Sequence, residues 1–399
     1  MKILFLTLGA PYPPDSGVKI RDYNIIKQIS QKHSVALLSL LYSPTEIESL
    51  AQLKQHCETV DGVLMRPRSG RKHFGHLMSQ LIHRRPLATS PFYYPEMAEK
   101  IRRAVTARRV DLVQIEHSFL APYVSAIPRG ANCKTVLSLH NLGVKQYGRM
   151  RHLRMKPKEK ALFWLKWLTM LGWEAKSAGD FDQIIAVSAL EADLIKRANP
   201  RLRVAVIPNG CDTCVLRPLP EAANGNTLLY VGTLGYPPNV DAVLHFVETT
   251  LPIIRQHIPD VRFVVVGHRP PKEVQRLAER GELVAAGSVP DVLPFYQQAK
   301  VCVVPLRAGG GTRLKILEAM ALGRPVVSTT LGCEGLEVKN HEHLMIADTP
   351  ADFAHRVIQL LRDDELQRRL CQNARRLVEA SYDWTAISGQ LLQVYDEIT

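Results

Sequence analysis

The sequence predicts an α/β protein made of two Rossmann-like domains, each a doubly wound parallel sheet, facing a cleft. Three observations carry that prediction. The chain has 399 residues, more than one ordinary hydrophobic core accommodates. Short apolar runs alternate with amphipathic helical stretches, as expected of β–α–β units whose strands are buried on both faces. The alternation occurs twice, interrupted by a segment rich in Pro, Gly and Asn between Pro208 and Asn226.

In order along the chain, strands are expected near residues 2–8, 34–40, 59–65, 111–116, 134–140 and 183–187. The second half repeats the scheme near 227–231, 261–266, 282–286, 301–304, 325–328 and 343–346. The domains then cover 1–207 and 227–383, with 208–226 as the hinge. The tail 384–399 has a helical pattern and is expected to pack back on the first domain. The opening Met1-Lys2-Ile3-Leu4-Phe5-Leu6-Thr7-Leu8 reads as a buried strand entering a Gly/Pro turn. Its apolar core is too short for a signal peptide, and no small-residue cleavage site follows. No run reaches the roughly 18 apolar residues of a membrane span. The seven cysteines are scattered, which favours a reduced, cytoplasmic setting. Cys211 and Cys214 form a C-x-x-C without the second pair a zinc site needs.

Charge is distributed unevenly. The chain carries a net +13, yet residues 1–200 hold 30 Lys and Arg against 16 Asp and Glu, while 201–399 hold 21 against 22. The excess belongs to the first half, which should therefore meet something anionic. Seven cations lie between Lys145 and Lys160: Lys145, Arg149, Arg151, Arg154, Lys156, Lys158 and Lys160. An apolar stretch from Ala161 to Trp173 follows and holds three of the four tryptophans. A second basic patch comprises Arg66, Arg68, Arg71, Lys72, Arg84 and Arg85. Basic residues beside an aromatic-rich helix suit an anionic bilayer surface, such as the inner face of a cytoplasmic membrane. A core helix with a solvated basic flank is the alternative. Nucleic acid is a poorer partner, because no recognition motif accompanies the charge.

The densest chemical signal runs from Pro305 to Val327. An apolar strand ends at Pro305; Gly309, Gly310 and Gly311 follow; a helix is expected to start near Thr312. Glycines let backbone amides approach an anion, and a helix N-terminus adds unpaired donors and partial positive charge. Such a loop suits a diphosphate. Arg313 and Lys315 bring fixed charge to it, placed to stabilise a departing nucleotide diphosphate. Glu318 is placed to accept hydrogen bonds from vicinal ribose hydroxyls. The competing reading is a plain turn with Lys315 and Glu318 paired on a solvated helix face.

This segment resembles the donor-binding signature of family 4 glycosyltransferases, and further matches extend along nearly the whole chain. Pro13-Pro14-Asp15-Ser16-Gly17 resembles the family's N-terminal glycine loop. Leu139-His140-Asn141 resembles the strand end whose histidine faces the donor sugar. Ala186-Val187-Ser188 and Ile207-Pro208-Asn209-Gly210-Cys211-Asp212 resemble two further landmarks. Tyr230-Val231-Gly232-Thr233 opens the second domain, and Gly287-Ser288-Val289-Pro290-Asp291 resembles the loop that meets the nucleobase. The nearest subgroup resembles bacterial exopolysaccharide sugar transferases, including exosortase-associated ones.

The resemblance implies the GT-B fold and a retaining transfer of a sugar from a nucleotide diphosphate donor to an acceptor hydroxyl. The acceptor would be a lipid-linked or polysaccharide glycan, attacking on the face the nucleotide leaves. His140, Arg313 and Lys315 would be catalytic. Gly17, Gly232, Thr233, Val289, Gly309, Gly310, Gly311, Thr312 and Glu318 would bind the donor. Glu116 and His117, at a first-domain strand end, are candidates for acceptor contact. No metal and no cofactor are expected: Asp180-Phe181-Asp182 precedes a strand, where capping carboxylates are the simpler reading.

Two departures from the family pattern stand out. Gly310 occupies the place of the first of the family's two glutamates, so the carboxylate that would grip the donor sugar is absent. The cations that usually follow the second-domain Val-Gly are missing from Gly232-Thr233-Leu234-Gly235-Tyr236-Pro237-Pro238-Asn239, which leaves Arg313 and Lys315 to supply that charge. A nicotinamide oxidoreductase is disfavoured because residues 9–17 lack G-x-G-x-x-G. A sugar-nucleotide epimerase of the same fold and a non-catalytic sugar-binding protein remain the alternatives.

Overall fold

A computed structural model of the chain describes residues 1–66, 89–128, 130–150, 153, 157–220 and 225–399. Arg68, Arg71, Lys72, Arg84, Arg85, Arg151, Arg154 and Lys156 of the two basic patches, and residues 221–224 of the expected hinge, lie outside the described residues.

Two compact units emerge. The first contains Met1–Arg151, Lys156–Asn209 and Trp384–Thr399; the second is built on Gly210–Asp383. The first unit's strands are β1 (Lys2–Leu8), β2 (Ser34–Leu41), β3 (Thr59–Leu64), β4 (Leu112–Glu116), β5 (Lys134–Leu139), β6 (Gln183–Ala186) and β7 (Val204–Val206). They form one parallel sheet in the order β3-β2-β1-β4-β5-β6-β7. Among the described residues its helices are α1 (Gly17–Ile29), α2 (Glu46–Ala51), α3 (Pro95–Arg108), α4 (Gly143–Met150), α5 (Pro157–Met170), α6 (Trp173–Ser177) and α7 (Ala189–Ala198).

The period-2 alternation of β1 shows why this sheet is buried on both faces. Leu4, Leu6 and Leu8 join a core with Met97, Ile101 and Val105 of α3. Ile3 and Phe5 point the other way, toward Ile25, Ile26 and Ile29 of α1. That second core also takes in the C-terminal helix through Trp384, Ile387, Leu391 and Tyr395.

The second unit repeats the wind. Its strands are β8 (Thr227–Val231), β9 (Arg262–Val266), β10 (Val284–Gly287), β11 (Val301–Val304), β12 (Val326–Ser328) and β13 (Met345–Ile346), in the parallel order β10-β9-β8-β11-β12-β13. Its helices are α8 (Pro237–His245), α9 (Leu251–His257), α10 (Lys272–Glu279), α11 (Leu293–Gln298), α12 (Leu314–Ala321), α13 (Pro350–Arg362) and α14 (Asp364–Ser381). The tail helix α15 (Trp384–Ile398) belongs to the first unit. In both sheets the strand order reverses beside the first strand, between β1 and β4 and between β8 and β11. In doubly wound sheets ligands bind at the carboxyl ends of the strands flanking such a reversal.

Two local differences from the sequence reading have physical causes. β7 was not expected: it is a three-residue edge strand, too short for a periodicity signal. Helix α12 starts at Leu314, two residues later than expected. Gly311 has φ +69, and Arg313, at φ −99 and ψ 95, is the extended residue before the helix.

Candidate functional site

In the first unit, the strand ends at the reversal point carry a buried polar cluster. His140 follows β5, Glu116 ends β4, and Arg21 and Asp22 come from α1, the helix that Gly17 opens. Glu116 Oε2 lies 2.8 Å from His140 Nε2, and Asp22 Oδ1 lies 3.4 Å from the same nitrogen. All four side chains are buried: Arg21 0%, Glu116 1%, Asp22 2% and His140 6% exposed.

Burial alone would neutralise these groups, and their neighbours decide which stay charged. Burial works against ionised Glu116, yet the hydrogen bond from His140 and the charge of Arg21 hold its acidity constant below the ordinary carboxylate value. Asp22 goes the other way: burial, then adjacent Glu116, raises it well above that value. Burial also lowers His140, leaving a neutral imidazole. Arg21 donates through Nη1 to the Pro208 carbonyl at 2.9 Å and to Asn209 Oδ1 at 3.0 Å, tying the cluster to the Asn-Gly landmark.

The expected acceptor-side pair behaves differently from a surface pair. Glu116 faces His140. His117 is buried at φ +86, and its Nδ1 accepts from the Phe119 amide at 3.4 Å. Burial, then His140, pushes the His117 ring down to about 3, so it is uncharged at neutral pH. Gly17 is exposed at the start of α1. Asp182 accepts from the amide and hydroxyl of Thr135 at 2.8 and 2.9 Å, a strand-edge clamp. Among the described residues, Asp22, Glu116 and His140 are the one set of three or more His, Cys, Asp or Glu side chains whose ligand atoms all lie within 4.8 Å of one another.

In the second unit, β8 and β11 deliver the other constellation. The loop after β11 turns through Gly309 at φ +113 and Gly311 at φ +69, conformations open to glycine and costly for other residues. Arg313 folds back so that Nη1 donates to the carbonyls of Gly310 and Gly311. Arg307 is held by a two-point contact with Asp241 at 3.0 and 2.7 Å, tethering the loop's other end to α8. Thr312 is half-buried between them.

Lys315, in the first turn of α12, is not a solvated helix lysine. Its Nζ sits 4.0 Å from the Tyr230 ring centroid and donates to Asn239 Oδ1 at 3.3 Å. Burial, reinforced by Arg313, lowers it to about 7. Asn239 is oriented by its other bonds: Tyr230 Oη donates to Oδ1 at 2.7 Å, and Nδ2 donates to the Thr233 carbonyl at 2.8 Å. Gly232 provides the space, since a Cβ there would stand 2.5 Å from Lys315 Nζ.

Glu318, one turn further, accepts from Tyr296 Oη at 3.4 Å, and burial raises its acidity constant. Val289 is half-buried just past β10; next to it, Ser288 Oγ lies 2.5 Å from His268 Nδ1. Thus Gly232, Thr233, Lys315 and the Gly309–Arg313 loop lie at neighbouring strand ends of one sheet.

Sequence reasoning missed Arg21, Asp22, Gln114, Tyr395, Tyr296 and Asn239 as members of these clusters. Arg21 and Asp22 had a signal: two adjacent charges in the first turns of a helix after a glycine loop. Tyr395 had none, because its partner Gln114 is distant in sequence, and the same holds for the contact of Asn239 with Lys315.

Comparison with known proteins agrees with this architecture. The family described as Glycosyltransferase Family 4 matches residues 24–214, and that described as Glycosyl transferases group 1 matches residues 225–363. A sucrose-phosphate synthase from Thermosynechococcus elongatus superposes with a TM-score of 0.75 at 19% identity, covering 100% of this chain and 98% of that one. The Anabaena protein Alr3699/HepE, crystallised with UDP, gives a TM-score of 0.70 at 18% identity, covering 100% of both chains. Fold and strand-end geometry therefore define a two-domain α/β protein of the GT-B class. The chain belongs to glycosyltransferase family 4. In sequence it is 29% identical over 204 residues to a phosphatidyl-myo-inositol mannosyltransferase of Mycobacterium leprae, 48% of this chain and 53% of that protein; the match spans about half that relative's length.

Proposed function

We propose that this protein is a retaining, metal-independent glycosyltransferase that moves a sugar from a nucleotide diphosphate to an acceptor hydroxyl. The observation that carries the reading is the Lys315 constellation. A desolvated ammonium is held against Tyr230 and Asn239 beside a positive-φ glycine loop at a helix N-terminus. That combination suits a diphosphate, and the related fold of Alr3699/HepE is known with UDP.

In the reaction the bond from the sugar's anomeric carbon to the diphosphate oxygen breaks. The acceptor oxygen bonds to that carbon on the same face, and the acceptor proton passes to the leaving phosphate. Lys315 and Arg313 stabilise the charge gathering on the diphosphate. Arg313 is tied to the Gly310 and Gly311 carbonyls, so it acts by shaping the loop as well as by its charge. His140 orients the donor sugar, Glu318 the ribose hydroxyls, and the backbone around Val289 the base. Gly17, Thr233 and Thr312 complete the donor contacts.

The acceptor is proposed to be a lipid-linked or polysaccharide glycan at the cytoplasmic face of an anionic membrane. Helix α5 supports that placement. Leu162, Trp164, Leu165 and Leu168 on it, with Leu171 just beyond, are each 46–49% exposed, while Lys158 and Lys160 lie exposed on its first turn. Phe163, Trp167 and Met170 face inward instead. A solvated core helix would not leave that apolar face outside, and an anionic lipid surface matches both its apolar and its basic parts. Among the described residues, no helix is long and apolar enough to cross a membrane.

The test is thermal stabilisation by UDP, GDP and ADP followed by donor turnover with Lys315→Ala. Stabilisation by one nucleotide, lost in the variant, supports the reading; no stabilisation by any of the three overturns it. Donor hydrolysis or epimerisation without acceptor would favour the epimerase alternative. Turnover that disappears with a chelator and returns with a divalent ion would overturn metal independence.

A further inference from the structure

The buried cluster around His140 does not end at Glu116. Gln114, two residues back on β4, donates through Nε2 to Glu116 Oε1, and its own Oε1 accepts from the hydroxyl of Tyr395 on α15. All three are sealed from solvent: Gln114 0%, Glu116 1% and Tyr395 0% exposed. Sheet and C-terminal helix are thus joined by a continuous chain of hydrogen bonds ending at His140 Nε2, 2.8 Å from Glu116 Oε2.

That chain has a direction. A carboxylate only accepts, so the Gln114 atom facing Glu116 must be its amide nitrogen. The Gln114 oxygen must then face Tyr395, whose phenol can donate. At the other end Glu116 can only accept from His140, so the imidazole proton must sit on Nε2. Asp22, 3.4 Å from that nitrogen, is too far to donate to it in place of Glu116. Arg21 and Asp22 flank the cluster from α1, and the charge of Arg21 favours ionised Glu116.

We propose that Glu116 fixes His140 in its Nε2–H tautomer, and that Gln114 and Tyr395 are positioning residues that hold the Glu116 carboxylate against it. His140 then presents Nδ1 to substrate as an acceptor, so the group it recognises is a hydroxyl that donates a hydrogen bond. This rests on the reading of His140 as the donor-sugar contact. It goes further in making the C-terminal helix part of that contact and in specifying a donating hydroxyl on the sugar. A donor whose contacted hydroxyl is replaced by fluorine, which cannot donate, is accordingly a poor substrate.

Glu116→Gln separates this proposal from a merely structural role. With Gln114 keeping its oxygen toward the Tyr395 hydroxyl, the new amide turns its own oxygen to Gln114 and its NH2 to His140. Nε2 must then accept, and the imidazole proton moves to Nδ1. Adding Tyr395→Phe frees Gln114 to flip, which lets the Nε2–H form return. Nitrogen-15 NMR of histidine-labelled protein reads the tautomer directly, with the His140 signals assigned from their absence in His140→Ala.

The expected results are Nε2–H in the native protein, Nδ1–H in Glu116→Gln, and recovery of Nε2–H in the double variant. In steady-state turnover, Tyr395→Phe lowers kcat about tenfold with donor KM within about twofold, the pattern of a misaligned rather than lost contact. An unchanged tautomer in Glu116→Gln, or native protein protonated on Nδ1, overturns the proposal. Because the NMR result does not depend on turnover, full activity in His140→Ala would defeat the sugar-contact reading separately. A melting temperature close to native identifies Tyr395→Phe as folded, and Gln114→Leu, which cuts the same link from the sheet side, must reproduce its kcat effect.

Discussion

Binding of a nucleoside diphosphate should take up a proton, and Lys315 should be where it goes. Its ammonium is desolvated against Tyr230, with Arg313 adding repulsion, and is lowered to about 7. At pH 8 a group with that value is about 90% deprotonated. The groups facing it are Arg313, which keeps its charge, Asn239 and Tyr230, which stay neutral, and Glu318 one turn away. A diphosphate in the glycine loop supplies the missing counter-charge and returns Lys315 toward its ordinary range, so binding at pH 8 should consume about 0.9 proton. Affinity should weaken about tenfold, some 1.4 kcal/mol, for each pH unit above 7 until the complex itself titrates. Titration calorimetry of UDP at pH 8 in two buffers of different ionisation enthalpy gives the proton count directly. UDP's own terminal phosphate, with a second pKa of about 6, is already ionised there. Lys315→Met should bind more weakly, with no uptake and a flat pH profile. Buffer-independent heats in the native protein, or undiminished uptake in Lys315→Met, would refute the assignment.

Three further outcomes follow from the same geometry. Gly232→Ala places Cβ against the movable end of Lys315, so the melting temperature should barely change while UDP affinity falls at least several-fold; Gly267→Ala, whose Cβ would stand 2.0 Å from the Gly232 carbonyl oxygen, should instead destabilise the fold outright in a denaturant titration. Glu174 accepts from the amides of Gly143 and Val144 at 2.8 and 3.0 Å, and burial raises it to about 7. The folded state therefore binds more protons than the unfolded one between pH 4.5 and 7, stability falls as pH rises through that window, and Glu174→Gln should flatten the dependence in pH-resolved melting curves. Replacing Trp164 and Leu165 by Ser should cost stability by about 1–3 kcal/mol, because each is just over half buried and Trp164 packs edge-on against Trp167, leaving a folded protein that no longer binds anionic vesicles at low salt in a flotation assay.

The sheets were legible because a strand buried on both faces writes itself as an uninterrupted apolar run. Ile3 to Leu8 and Val301 to Val304 required no partner to be recognised. The glycine loop was legible for a related reason: positive φ at Gly309 and Gly311 restricts residue choice locally. What stayed hidden depended on contacts across the sheet. Nothing near Lys315 in sequence says that its ammonium lies over Tyr230, 85 positions earlier, and a helix-face reading pairs it with Glu318 in solvent instead. Arg313 was read as a cation at the loop, and its turn back onto the Gly310 and Gly311 carbonyls is a side-chain conformation that local sequence does not record.

The two clusters solve opposite electrostatic problems, and this accounts for their composition. On the proposed reading the charge in the second unit meets a ligand. Lys315 is held by a ring face and an amide oxygen, partners too weak to satisfy an ammonium, so an arriving diphosphate meets an under-compensated cation. In the first unit the charged groups face one another: Arg21 favours ionised Glu116, burial and Glu116 raise Asp22, and burial lowers His140, so the imidazole there offers direction rather than charge. On the proposed reading a neutral ring with a fixed proton suits a sugar hydroxyl, because its lone pair accepts from a hydroxyl and repels a phosphate oxygen. The Glu116 carboxylate therefore turns the imidazole, while burial, working against the pull of that same carboxylate, keeps His140 uncharged.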